Sequence, residues 1–447
     1  EASIRTRSLG DGVRGRTVIH QGKLPYLKVH AAASKANKQQ SRGGALNIQY
    51  GICDPEVETL IHLRNPRTPA ANRNRDIHFG WMDTTFIAEK VAKNESVFLF
   101  NDHSAPDLAQ AFFSGDDKLF RELYAKYEAD DSFKKTYRNA RDLVLAATGE
   151  GIHTGTSYYA NLYERNHHTP FKEYIDSSNL CMEITQPKHG YTHPRYLYDP
   201  TDHGQGEAST CNLGGINVSF LDFTPENDEL YAKAAYTALK MIDRTINLSK
   251  FPFEHLNFTS RQRMNAGVGV MGVATLMARN KMKYTTEEGR NFMHRIAERH
   301  SYHLIRASLR ISKERGLAPW IHKTKWPEGW LPIDTYNHGI DDYVSETLHY
   351  DWEQLRSEII ENGGIGHSAL VAIMPGESSS KALGASNSIY PVREEVMIKT
   401  DGASTIRWAA YQEEGIEYQS AWDVHMRDMI LITGIWQKFT DQAISAD

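Results

Sequence analysis

Asn179, Cys181 and Glu183 set a side-chain amide, a thiol and a carboxylate two positions apart within Asn179-Leu180-Cys181-Met182-Glu183-Ile184, with Pro187 just beyond. Alternate side chains of an extended segment point the same way, so the spacing predicts one shared face. Such a face would offer a nucleophile or radical carrier, a base and a hydrogen-bonding amide. The chain has only two other cysteines, Cys53 and Cys211. Cys211 opens the run Cys211-Asn212-Leu213-Gly214-Gly215-Ile216-Asn217. It fits either a packed strand cysteine or one half of a two-thiol site with Cys181. Cys53 lies in a loop-like context and is expected to be inert.

A second candidate is Met374-Pro375-Gly376-Glu377-Ser378-Ser379-Ser380-Lys381, which follows an apolar strand-like stretch at 369–374. Hydroxyls and backbone N–H groups at the start of a helix suit an anion. The same serines would also make an ordinary N-cap. The run Gly267-Val268-Gly269-Val270-Met271-Gly272 matches G-x-G-x-x-G, but the polar, basic segment 260–265 precedes it where a nucleotide fold needs a buried strand. Its glycines are expected to let a tight strand pack among neighbours. The 20 histidines, His167, His168, His300 and His303 among them, show no metal-ligand spacing, so no metal site is expected. The polar segment 34–44 reads as a loop able to hold phosphates or a base, or simply as a solvated surface.

The elements that must carry these groups alternate between strand and helix. Residues 1–50 read as loops and short elements, 55–63 as a short helix, and 116–147 as helical with a break near Asp130 and Asp131. Segment 154–162 is aromatic and β-prone, and 188–206 reads as an exposed loop or hairpin. A helix is predicted over 226–248, with Leu230, Ala234, Leu239, Ile242 and Ile246 as its apolar stripe. A long amphipathic helix is predicted over 288–313, ended by Gly316 and Pro319, and a last helix over 421–444. The alternation, without a fixed repeat, points to an α/β fold with a central sheet or barrel.

The 447 residues, 40% hydrophobic and 24% charged, are ordinary for a globular chain with a sizeable core. A net charge of −5 gives no basic field for nucleic acid. No apolar run approaches the roughly 18–20 residues that span a bilayer, and neither a signal peptide nor a disulfide scaffold is apparent. The expectation is a cytoplasmic protein with no membrane or nucleic-acid partner. A start at Glu1 within a basic run suggests a processed fragment or one product of a split gene.

In their order, SRGGA at 41–45, NLCMEI at 179–184, CNLGGIN at 211–217, GVGV at 267–270, LPIDTY at 331–336, MPGESSS at 374–380 and QKFTDQAIS at 437–445 resemble the large (α, catalytic) subunit of class I ribonucleotide reductase. The resemblance covers essentially the whole chain. It implies a ten-stranded α/β barrel of two five-stranded halves, incomplete here, occupying residues 1–447. Effector and specificity loops would lie in 1–45, and a central finger loop in 177–187. By the same resemblance Cys181 carries a thiyl radical, Glu183 takes the 3′-hydroxyl proton and Asn179 binds the sugar hydroxyls. Cys211 is one of two reducing thiols. Leu180, Pro375, Gly376, Glu377, Ser378, Ser379 and Ser380 would line the ribonucleoside diphosphate site, and Arg7, Lys35, Gln40 and Arg42 the effector loops. No cofactor is expected on this chain itself. The radical would come from a dimetal small (β) subunit, the effectors would be dNTP or ATP, and the reductant thioredoxin or glutaredoxin.

The sequence also departs from the family. No cysteine occupies the usual place of the second redox thiol, and Gly376 replaces a hydroxyl-bearing residue. Neither an ATP cone nor a C-terminal tail with its tyrosine pair and cysteines is present. The chain is therefore expected to be inactive alone, with a companion large-subunit fragment supplying the missing thiol. The alternatives are an adenosylcobalamin-dependent or glycyl-radical relative, and an inactive nucleotide-binding or assembly remnant.

Overall fold

The computed structural model describes residues 2–3, 5–36, 44–199, 206–401 and 404–446. They form two compact units. The first comprises residues 1–167 and 174–180, the second 168–173 and 181–447.

In the first unit four parallel strands lie in the order Ala2–Ser3, Asn47–Gly51, His78–Asp83, Ser157–Asn161. Parallel neighbours need long crossovers, and helices supply them. Three of these helices start where a short polar side chain satisfies an orphan amide. Thr84 accepts from Ile87 before Thr85–Lys93, Asp116 from Leu119 before Asp117–Ala129, and Asn139 from Asp142 before Ala140–Thr154. The expected break falls after Ala129. Phe98, Phe100, Phe112, Phe120 and Tyr124 form an aromatic core, with Phe98 and Tyr124 stacked at 4.1 Å. Burying each such ring is worth about 1.5–3 kcal/mol. Among the described residues of 1–50, short strands accompany one longer helix. Leu24–Ala36 is a helix that buries Leu27 and Ala31, one turn apart, behind an otherwise polar and alanine-rich surface.

In the second unit Leu213–Asn217 and Gly267–Met271 pair in parallel. Val268 bridges in parallel to Val371, and Ile373 to Ile444, so the array continues through the buried segment 369–373. The glycine run lies inside the strand. A Cβ on Gly269 would come 2.4 Å from Met374 Sδ and 2.7 Å from the Ala372 carbonyl. Close packing explains these glycines, as expected.

The helices Pro225–Leu248 and Glu287–Arg315 pack together beside this array. In the first, Leu239, Ile242 and Ile246 of the predicted stripe are buried, but nearer its start Tyr231 and Ala235 take the inner positions and Leu230 is 51% exposed. A hydrogen bond of 2.7 Å between Tyr231 Oη and His300 Nδ1 explains why the amphipathic tyrosine takes the inner position. Glu287–Arg315 is buried over most of its circumference, so it is a core helix and not a surface amphipath. The last helix is Met426–Gln437, shorter than predicted. His168 Nε2 bonds the carbonyls of Gln437 and Thr440, and Thr440 Oγ1 donates to the Trp436 carbonyl. These bonds end the helix and free the following residues to pair as a strand. The base of the 188–206 segment is closed by an antiparallel bridge between His189 and Glu207.

The fold is α/β, and among the described residues no ring of strands closes. No helix among them is long and apolar enough to cross a membrane.

Candidate functional site

The first unit ends on the approach to the thiol. Asn166 grips Ile175 at two points: its Oδ1 accepts from the Ile175 amide at 2.6 Å and its Nδ2 donates to the Ile175 carbonyl at 3.1 Å. Further on, Ser178 Oγ donates to Asn179 Oδ1 at 3.4 Å, and Asn47 Nδ2 donates to the Leu180 carbonyl at 3.4 Å. Asn179 and Leu180 are both half-buried.

The second unit opens with Cys181, also half-buried, and with Glu183, which is only 1% exposed. The extended alternation expected for 179–183 does not hold. The chain turns at Leu180 and Cys181, and Met182 takes a φ of +68°. A left-handed conformation is costly for a methionine and is characteristic of functional loops. The Glu183 carbonyl accepts from the Ala443 amide at 3.0 Å, which ties the loop to the C-terminal strand segment.

The serine loop belongs to the same unit. After the buried residues 369–374 come half-buried Pro375 and the short helix Glu377–Ala382. Glu377 has a φ of +37° and nearby Ser388 one of +50°, two further strained positions. Asn387 Oδ1 accepts from the amides of Gly376 (2.5 Å) and Glu377 (3.3 Å). Ser378 and Ser379 are exposed, whereas Ser380 is buried and donates to the Glu377 carbonyl at 2.8 Å. Gly376 has little room for a side chain: a Cβ there would lie 3.0 Å from Met271 Cγ and 3.1 Å from Ser380 Cβ.

Cys211 is exposed, two residues before Leu213–Asn217, which removes the reading of it as a packed strand cysteine. Cys53 is buried, and burial, with Asp83 and Asp54 nearby, pushes its thiol far above the ordinary range. It is therefore protonated and unreactive. Among the effector candidates, Arg7 is exposed with Nε 3.3 Å from His103 Nδ1, and Lys35 is exposed with Nζ 3.6 Å from Asp76. Gln40 and Arg42 lie outside the described residues.

Three groups were not singled out from the sequence. Asn387 has no motif around it. Asp441 and Gln442 do stand within a landmark, QKFTDQAIS, yet as the tail of a predicted helix they carried no role. Asp441 is buried. Its Oδ2 accepts from the Leu370 amide at 2.8 Å and its Oδ1 from Val371 at 2.6 Å, while burial raises its pKa to about 7. Elsewhere in the unit, Glu173, His189 and Glu207 offer three donor atoms within 4.8 Å of one another. Arg263 already bonds both carboxylates, so a guanidinium supplies the positive charge there.

The features described so far are those of an α/β protein built around a thiol–carboxylate loop. Residues 3–413 match the family described as "Ribonucleotide reductase, barrel domain", and the chain belongs to that family. It is 34% identical to the ribonucleoside-diphosphate reductase subunit alpha of Haemophilus influenzae, over 99% of this chain and 58% of that protein. Against the ribonucleoside-diphosphate reductase 1 subunit alpha of Escherichia coli K12 it is 35% identical, over 99% of this chain and 57% of that protein. The phage T4 subunit alpha is 31% identical over 88% of this chain and 50% of that protein. The chain thus spans little more than half the length of these relatives.

Proposed function

We propose that this chain is part of a ribonucleoside-diphosphate reductase catalytic subunit, converting ribonucleoside diphosphates to 2′-deoxyribonucleoside diphosphates. The observation that carries the reading is Glu183, a buried carboxylate two residues from the half-buried thiol of Cys181, within the span that matches the family.

As a thiyl radical, Cys181 would remove the 3′-hydrogen of the ribose. Glu183 would accept the 3′-hydroxyl proton, and Asn179 would hold the sugar hydroxyls. The 2′-hydroxyl then leaves as water, with two electrons and two protons supplied by Cys211 and a second thiol. Gly376, Glu377, Ser378, Ser379 and Ser380 would receive the diphosphate beside Pro375 and Leu180. The exposed Ser378 and Ser379 hydroxyls are the ones available to it.

The strands would close into the ten-stranded barrel only in the assembled subunit, with 177–187 as its finger loop. The second thiol would come from a companion large-subunit segment and the radical from a dimetal small subunit. Thioredoxin or glutaredoxin would re-reduce the thiols. Arg7, Lys35, Gln40 and Arg42 would form effector loops answering to dNTP or ATP. The test is reduction of nucleoside diphosphates by the reconstituted complex carrying Cys181→Ser. Loss of turnover is expected, and an unchanged rate overturns the radical role.

A further inference from the structure

Residues 441–445 bond to both halves of the proposed site within the second unit. Asp441 lies 1% exposed with its two carboxylate oxygens on the amides of Leu370 and Val371. Gln442 Nε2 donates to the Ala266 carbonyl at 2.9 Å, and its Oε1 accepts from Gln186 Nε2 at 3.2 Å. Ala443 donates to the Glu183 carbonyl at 3.0 Å and accepts from the Ile373 amide at 3.3 Å, and Ser445 donates to the Ile373 carbonyl at 2.9 Å. One side of this strip therefore holds the finger loop at Glu183 and Gln186. The other holds 370–373, which runs directly into Pro375 and the serine loop.

Asp441 is an expensive way to satisfy two amides. Among the described residues no cation pairs with it, and a buried carboxylate without one is costly. An ordinary β-ladder would satisfy the same amides without charge. A carboxylate fork adds a fixed register, since its two oxygens meet two consecutive N–H groups in one geometry only. Gln442 does the same across the other side, using both ends of its amide. The fork and the amide are adjacent residues, so neither side can slide without moving the other.

We infer that Asp441 and Gln442 are positioning residues that lock the serine loop and the Glu183 carboxylate into one mechanical unit, so that seating a diphosphate also sets the base. The inference rests on the reading of those two elements as diphosphate loop and base. It assigns no contact between either residue and substrate.

The experiment uses the full chain reconstituted with the remainder of the large subunit and the radical-generating subunit. ADP binding is titrated calorimetrically, and kcat and KM for its reduction are measured. Wild type is compared with Asp441→Asn, Gln442→Met and the double variant. Asp441→Asn turns one acceptor into a donor facing an N–H group, and Gln442→Met removes two hydrogen bonds at nearly constant volume. Each single variant is expected to change both the ADP Kd and kcat, by roughly tenfold. The double variant should lose less than the product of the two, as coupled residues do. If folded Gln442→Met keeps wild-type Kd, KM and kcat, the inference is overturned. It is equally overturned if Asp441→Asn only lowers the melting temperature. Failure of the underlying reading shows separately, in wild type: no ADP binding, or turnover that survives Cys181→Ser.

Discussion

Arg263 Nε donates to Glu207 Oε1 at 2.7 Å with both side chains almost wholly buried, and its Nη2 donates to both Glu207 and Glu173. Glu207 also forms the antiparallel bridge with His189. Burial alone would push the Glu173 carboxyl up. The His189 hydrogen bond and the charges of Arg263 and Lys323 outweigh it and hold the group at about 2. Removing the arginine would strand buried carboxylates, so Arg263→Ala is expected to destabilise the fold by about 3–5 kcal/mol. Arg263→Lys should recover only part of that, because a point charge cannot fork between two acids. Urea unfolding midpoints decide it, and a loss within experimental scatter would refute the anchoring role.

Glycine positions offer an opposed pair. Gly269→Ala drives a methyl group into Met374 and the Ala372 backbone, and should cost at least about 1–3 kcal/mol. Gly149→Ala lies in the helix Ala140–Thr154 with nothing within 4 Å of the new carbon, and should gain up to about 1 kcal/mol. Thermal melts of the two variants should move in opposite directions.

The three thiols should separate by alkylation. Cys211 is exposed, Cys181 half-buried and Cys53 buried with a raised pKa. Mass spectrometry after brief iodoacetamide treatment at neutral pH should find Cys211 modified first, and Cys53 only after denaturation. Early labelling of Cys53 would contradict its placement.

His294 is buried against Phe439, with ring centroids 4.8 Å apart, and neither ring nitrogen has a hydrogen-bond partner among the described residues. Burial, then Lys438 and His349, lower its pKa to about 3, against an opposing contribution from Asp341. The folded state thus binds this proton less readily than the unfolded chain, whose value is 6.5. Its contribution to stability is fully present above about 6.5 and is lost as pH falls toward about 3. His294→Leu should flatten that acid limb, and should raise stability near neutrality by about 1 kcal/mol by removing unsatisfied polar atoms.

Asp441 gives the opposite slope. Its folded pKa of about 7 exceeds the ordinary 3.8, so its contribution is present below about 3.8 and is lost as pH rises through about 7. Chemical denaturation across that range should show a falling contribution in wild type that is absent from Asp441→Asn. Parallel profiles would mean that the carboxyl titrates normally.

Local chemistry made much of this protein legible in one dimension. The break near Asp130, the stop at Gly316, the strand glycines and the thiol–carboxylate run all act through near neighbours in the chain. Periodicity placed a helix over 226–248 and the inner positions of Leu239, Ile242 and Ile246, yet put Leu230 on the inner face in place of Tyr231, whose bond to His300 spans 69 positions. Spacing placed Asn179, Cys181 and Glu183 together but missed the turn at Leu180 and Cys181 and the left-handed Met182, since backbone strain is paid by contacts elsewhere.

What the sequence by itself determined was the α/β alternation, the reactive side chains and the family. Tertiary structure alone decided which groups are buried and what holds them. It buried Cys53 and left Cys211 accessible, spent the Ser380 hydroxyl on a carbonyl, and ended the last helix at Gln437 so that residues 441–443 could bond 370–373, Gln186 and Glu183. The physical reason is range. Propensity and capping are settled within a turn or two of chain, whereas desolvation and hydrogen-bond register depend on partners such as Ala443 and Glu183, which meet only once the chain has folded.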